Sequence, residues 1–326
     1  MIEVKQLTKR YGNHTAINSL SFSLENGRIY GFLGPNGAGK STTMNIMTGC
    51  LAATSGEVRI NGLDIYEDST TAKRLIGYLP EQPPLYMDMT PREYLDFVVQ
   101  AKGVPRKDRD AQVVQAIEQT GLISVENRLI RNLSKGYRQR TGIAQALLGE
   151  PEIIILDEPT VGLDPKQMIE IRNLIQSLGR EHTVILSSHI LNEVQAVCDY
   201  ILIISHGVLV ASDTPENLER ILAGSITHEL EVEGTEEAIT TALSALEGFQ
   251  DLSLLPAADK THLQVRLTQK DTAERRKEIF FALCDARIPV FSMTQSRISL
   301  EDVFLELTSD TPETDGKEAT QDGGNL

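Results

Sequence analysis

Gly34-Pro35-Asn36-Gly37-Ala38-Gly39-Lys40-Ser41-Thr42 is the stretch on which the reading of this chain turns. It follows an apolar run, Ile29 to Leu33, and leads into residues of helical character as far as about Thr48. A strand, a glycine-rich turn and a helix in that order aim successive backbone amides at one point, and the helix N-terminus adds partial positive charge. Such a cradle suits a chain of phosphates. Lys40 can supply a full charge to β- and γ-phosphates, and Ser41 can offer its hydroxyl to Mg²⁺. Gly34 to Thr42 are therefore candidate nucleotide-binding residues. The plain alternative is an ordinary glycine-rich turn; at average residue frequencies the pattern arises by chance on the order of once in a hundred chains of this length.

A second stretch completes the site. Ile153-Ile154-Ile155-Leu156 reads as a buried strand and ends in Asp157-Glu158-Pro159. Two adjacent carboxylates at the end of an apolar strand repel each other, and a nearby cation or a reaction gives them a purpose. Asp157 is the candidate for holding Mg²⁺ through water, and Glu158 for orienting or deprotonating an attacking water. Taken alone, the pair would read as a solvated strand end.

The rest of the chain bounds the setting. Its 326 residues make about two domains at roughly 150 residues each. A composition 40% hydrophobic and 24% charged belongs to a folded globular protein. With 31 Lys and Arg against 46 Asp and Glu, the net charge is −15, which disfavours generic attraction to nucleic acid or to an anionic membrane. Cys50, Cys198 and Cys284 lack metal or disulfide spacing and read as packed, reduced thiols of a cytoplasmic protein. Aliphatic runs such as Ile201 to Ile204 are far shorter than a membrane span, and Met1 to Gln6 lack the apolar core of a signal peptide.

Charge divides the chain. Residues 1–220 hold 22 basic and 26 acidic groups, whereas residues 221–326 hold 9 and 20. Before that point, apolar runs (Ile29 to Leu33, Leu75 to Leu79, Ile153 to Leu156, Thr183 to Leu186, Tyr200 to Ile204) alternate with helical stretches. This is the pattern of a parallel α/β sheet. Residues 90–149 read as a helical insertion, with helices over Pro91 to Ala101, Asp108 to Gln119 and Ser134 to Leu148. Residues 225–308 read as a small βαββαβ, ferredoxin-like α+β domain. Its strands fall near Leu230, Leu252 to Leu255, Leu263 to Leu267 and Val290 to Thr294, and its helices span Thr235 to Glu247 and open at Asp271 with Glu274 at the reciprocal cap position. The first domain is placed at residues 1–224, and residues 309–326 are expected to form a disordered acidic tail.

Further motifs give the first 220 residues or so a specific resemblance. Leu133-Ser134-Lys135-Gly136-Tyr137 resembles the LSGGQ signature of ABC ATPases, matching at Ser134 and Gly136 and departing at Lys135 and Tyr137. Gln82 resembles the Q-loop residue, Gly162-Leu163-Asp164-Pro165 the D-loop, and His189 the switch histidine. Tyr11 falls where the family stacks an aromatic ring on adenine. The chain thus resembles the ATP-binding subunit of an ABC transporter. Ile298 to Thr308 looks like the ending of such subunits in drug-export, gliding-motility and multicopper-maturation exporters, although Leu300, Val303, Phe304 and Leu307 on one helical face would equally serve internal packing.

The resemblance implies a P-loop NTPase fold of ABC type and ATP hydrolysis with Mg²⁺. Each ATP would lie between the phosphate loop of one subunit and Ser134 and Gly136 of another, with Asp164 working across the interface. Glu158, His189 and Gln82 would hold the lytic water, and Gln82 would also reach Mg²⁺. One set of motifs implies a homodimer or a paired ATPase subunit. A separate integral membrane permease would be the partner, placing the protein in the cytoplasm on the inner face of the cell membrane. No guanine-reading Asn-Lys-x-Asp element occurs, which favours ATP over GTP. A nontransport ABC ATPase acting on ribosomes or DNA is the alternative, weakened by the single cassette and by the lack of a basic arm.

Overall fold

A computed structural model describes residues 1–222, 226–256, 262–269 and 274–297. The chain begins with strands β1 (Ile2–Tyr11), β2 (His14–Leu24) and β3 (Ile29–Leu33), then helix α1 (Lys40–Met47), β4 (Ser55–Ile60), β5 (Leu63–Asp64), α2 (Ser69–Arg74) and β6 (Ile76–Leu79). Helices α3 (Pro91–Ala101), α4 (Arg106–Gln119) and α5 (Lys135–Leu147) follow. The alternation resumes with β7 (Ile153–Leu156), α6 (Pro165–Leu178), β8 (Thr183–Ser188), α7 (Leu191–Gln195), β9 (Tyr200–Ser205), β10 (Val208–Asp213) and α8 (Pro215–Leu222). Last come β11 (Ile226–Val232), α9 (Glu236–Ser244), β12 (Phe249–Pro256), β13 (Leu263–Gln269), α10 (Arg276–Asp285) and β14 (Val290–Arg297).

The six-stranded sheet has the order β10-β9-β3-β8-β7-β6, parallel except for β10. Every residue of β3 and β7 is buried because both faces of the sheet are covered. Alternate side chains serve opposite cores: Phe32 and Ile155 pack with Met44 on one face, Leu33 and Leu156 with Ile171 and Ile175 on the other. Gly31 matters to this packing. A β-carbon there would lie 2.1 Å from Val194 Cγ1, so only glycine lets α7 settle against the sheet.

A four-stranded antiparallel sheet, β2-β1-β4-β5, was not legible in the sequence. Register shifts between Val4 and Leu7 and between Leu7 and Lys9, with Gln6 and Ser19 in the left-handed region, break the two-residue period that marks a strand.

Helices α3, α4 and α5 enclose their own core, built on Leu95, Val113, Ile117 and Ile143's neighbour Ala144. A capping box starts α3: Glu93 N donates to Thr90 Oγ1 and Thr90 N to Glu93 Oε2. At its other end, Lys102 Nζ donates to the carbonyls of Gln145 (2.9 Å) and Leu148 (2.6 Å), tying α3 to the end of α5.

The last sheet has the order β12-β13-β11-β14, antiparallel throughout, with α9 and α10 supplying Ile239, Leu243, Ile279 and Leu283 to one face. This is the strand order of a ferredoxin-like βαββαβ unit. Two expectations need correcting. Glu274 does not cap from within a helix: α10 begins at Arg276, and Glu274 instead accepts hydrogen bonds from the Arg276 backbone and guanidinium. Cys50 and Cys284 are exposed, and only Cys198 is packed. Asp271, the Ile298 to Thr308 segment and the 309–326 tail lie outside the described residues. No helix among the described residues is long and apolar enough to cross a membrane.

Candidate functional site

The phosphate loop takes its shape from two glycines. Gly37 (φ 83°) and Gly39 (φ 100°) occupy the left-handed region, and Gly39 is the residue from which α1 starts. Lys40 folds back under the loop, its ammonium donating to the carbonyls of Gly34 (2.8 Å) and Pro35 (3.2 Å). That ammonium also lies 3.4 Å from Glu158 Oε1, with both side chains buried. Ala38 is buried and holds the next loop, accepting from Gly207 N at 3.1 Å.

Strand register brings the acidic pair to this loop. Leu156 pairs with Leu186 and Leu33 with Ser188, so Asp157 and Glu158 emerge beside Ser187 and Ser188. Ser187 Oγ donates to Asp157 Oδ1 (2.6 Å) and accepts from Glu158 N (2.8 Å). Ser41 Oγ donates to the same Asp157 oxygen at 3.1 Å. Burial pushes the Asp157 carboxyl above the usual carboxylate range; the hydrogen bonds from Ser187 and Ser41 oppose this, the Glu158 charge adds to it, and Lys40 opposes it. Glu158 sits at φ 47°, a strained position for a residue with a side chain. His189 Nδ1 lies 3.0 Å from Glu158 Oε2.

These groups open onto a cleft of about 520 Å³. Asn36, Gly37, Gly39, Lys40, Ser41 and Thr42 line it, as do Glu158 and His189. Tyr11, His14 and Ala16 also line it. Tyr11 is 49% exposed, unlike a core tyrosine, and Lys9 Nζ stands over its ring, 5.0 Å from the centre. Gly34 and Pro35 act from behind, through the carbonyls that hold Lys40. A separate concavity of about 300 Å³ on the β11–β14 sheet contains none of the candidate residues.

Gln82 is exposed and is not among the residues that line the cleft, whereas its neighbour Glu81 is. The two adjacent polar residues, Glu81-Gln82, are indistinguishable from local pattern alone. Ser134, Gly136 and Asp164 also lie outside the cleft lining. Ser134 Oγ accepts from Tyr137 N (3.4 Å) and Asp164 Oδ1 from Gln167 N (2.9 Å), so each caps a helix, α5 and α6 respectively. An Arg140–Glu170 ion pair at 2.6 Å joins those two helices. Sequence reading missed Ser187, His14 and Glu81. Ser187 carried a signal, a hydroxyl continuing an aliphatic strand whose pattern runs out at Leu186.

The donor set can be tested for a metal. Ser41 and Asp157 present two hard oxygen donors side by side, as suits Mg²⁺, which keeps much of its water and phosphate coordination. Among the described residues no group of three or more His, Cys, Asp or Glu could hold a metal by itself. The residues therefore fit a metal that arrives with phosphates, and not a cage built by protein alone.

Comparison with known proteins agrees with this geometry. A family profile described as ABC transporter matches residues 17–161. The linearmycin resistance ATP-binding protein LnrL of Bacillus subtilis (strain 168) is 32% identical over 95% of this chain and 99% of its own length. The bacitracin transport ATP-binding protein BcrA of Bacillus licheniformis is 38% identical over 68% of this chain and 72% of its own. Among solved structures, a dimeric ATP-binding cassette in a post-hydrolysis state, bound to ADP and Pi, superposes with a TM-score of 0.60 at 26% identity, covering 66% of this chain and 98% of that one.

Proposed function

From the premise that this chain belongs to the ABC transporter family, as an ATP-binding and ATP-hydrolysing subunit, we propose that it drives export through a separate membrane permease, on the inner face of the cell membrane. The transporter subunits among its relatives set aside the alternative of an ATPase acting on ribosomes or DNA. The proposed division is an ATP-binding unit over residues 1–224, with its helical insertion at about 90–149, and an accessory α+β unit over 225–308.

One observation carries the proposed mechanism: Lys40, Glu158 and His189 meet at the end of the phosphate loop. An arriving triphosphate gives the Lys40 ammonium a stronger anionic partner than Glu158. Glu158, released from that pair, then accepts a hydrogen bond from the attacking water and takes up its proton as the oxygen bonds to the γ-phosphorus and the bond to ADP breaks. His189, already 3.0 Å from Glu158, orients the carboxylate and meets the γ-phosphate. Mg²⁺ held beside Ser41 and Asp157 would neutralise charge on the β- and γ-phosphates. Tyr11 offers its exposed ring to adenine.

The phosphate loop lines the cleft, whereas Ser134, Gly136 and Asp164 are not among its lining residues. This supports a site completed by a second ATPase subunit, a copy of this chain or a paired one. ATP would hold the two together, and hydrolysis would release them and move the attached permease. The test is affinity capture of the tagged protein from detergent-solubilised membranes, with turnover measured on the product. A multispanning partner and ATP hydrolysis are expected; recovery with ribosomes and no membrane partner would overturn the transport reading.

A further inference from the structure

Glu193, on the short helix α7, is a buried carboxylate that the mechanism above does not use. A buried acid is costly unless paired, yet Glu193 forms no ion pair among the described residues. Its Oε2 instead accepts two hydroxyls from different loops: Thr160 Oγ1 at 2.5 Å and Ser188 Oγ at 3.1 Å. Charge-assisted bonds of this kind are short and strong.

The donors matter because of their neighbours. Thr160 follows Glu158 by two residues and precedes Asp164 by four, and its loop is closed by Leu163 N donating to Thr160 O at 3.2 Å. Ser188 directly precedes His189; its hydroxyl also accepts from Ile190 N at 3.0 Å, and its carbonyl from Gly34 N at 3.4 Å. One oxygen atom thus bridges the loop carrying the attacking-water residue and the loop carrying the switch histidine. The bridge is anchored to the sheet where Val194 packs against Gly31.

We infer that Glu193 is a positioning residue for hydrolysis: its carboxylate holds the Glu158–Asp164 loop in register with the Ser188–Ile190 loop, so that Glu158 and His189 stay within hydrogen-bond reach. The inference rests on the proposed roles of those two residues. It has a specific kinetic consequence. Glu193 does not line the nucleotide cleft, so its loss should impair the chemical step and spare nucleotide binding.

The experiment compares wild-type protein with Glu193→Ala and Glu193→Gln, reading ATP affinity by equilibrium titration, kcat by phosphate release, and Tm. Glu193→Ala should lower kcat by about tenfold or more, as small misplacements of reacting groups do, and change ATP affinity by less than about threefold. Glu193→Gln, which keeps an oxygen acceptor, should recover part of that loss. In a His189→Ala background, Glu193→Ala should cost much less than in the wild type, because both act on one arrangement. Should Glu193→Ala fail to fold, Thr160→Val and Ser188→Ala each remove one donor and should give the same loss confined to kcat. Unchanged kcat in the folded variants, equal losses in affinity and kcat, or full additivity with His189→Ala would overturn the inference. Glu158→Gln, run alongside, separates the two readings: if it keeps wild-type turnover, the assignment of Glu158 fails, whatever Glu193 does.

Discussion

Lys40 and Glu158, 118 positions apart in the chain, meet as a buried ion pair, Nζ to Oε1 3.4 Å, at the centre of the phosphate site. The proposed phosphate cation and the proposed catalytic carboxylate therefore neutralise each other before nucleotide binds. Neither charge is left to bear the cost of burial alone.

This pair predicts opposite outcomes for its two members. Lys40→Ala removes charge-assisted contacts to phosphate and strands the Glu158 carboxylate beside it, so ATP affinity should fall by about 2 kcal/mol or more, roughly thirtyfold in Kd. Glu158→Gln leaves Lys40 free for phosphate, so binding is kept or strengthened while kcat falls by about 10²-fold or more. Equilibrium titration and phosphate-release kinetics check both, and wild-type turnover in Glu158→Gln would place the base elsewhere.

Glu81, in the cleft wall, and its exposed neighbour Gln82 make a second comparison. Glu81→Ala should lower kcat by about tenfold, and Gln82→Ala by less than about twofold. The reverse order in phosphate-release assays would support the role expected of Gln82.

Ser134 and Gly136 outside the cleft lining predict complementation between subunits. Lys40→Ala and Ser134→Arg proteins should each be nearly inactive alone. Mixed, they should regain turnover, since one site of the mixed dimer has an intact phosphate loop facing an intact Ser134. A mixture no more active than its components, in a protein able to dimerise with itself, would argue for a site complete within one chain.

The cysteines offer a check on packing. Cys198 is buried, and burial pushes its thiol well above the ordinary range, whereas Cys50 and Cys284 are exposed. Alkylation of the native protein at about pH 8, read by mass spectrometry, should label Cys50 and Cys284 and spare Cys198 until denaturant is added. Labelling of native Cys198 would mean that α7 does not hold its place on the sheet.

The α/β alternation, the helical insertion and the late βαββαβ unit were legible because each depends on patterns a few residues long: buried runs for β3 and β7, helical spacing for α3 to α5. The β1–β2–β4–β5 sheet was not, because bulges near Leu7 shift the faces on which its side chains alternate. The start of α10 was misread because Glu274 finds its partners in Arg276 and not in a helix cap.

The candidate residues for holding a triphosphate were legible in sequence alone, since a phosphate loop is contiguous and its amides, ammonium and hydroxyl come from neighbouring positions. Tertiary structure decided which distant groups those residues meet: Ser41 with Asp157, Lys40 with Glu158, Glu193 with Thr160 and Ser188, and Glu81 at the wall. The reason is register. Pairing of β3 with β8 and of β8 with β7 sets these meetings, and a strand records its own buried faces but not the position at which its neighbour stops.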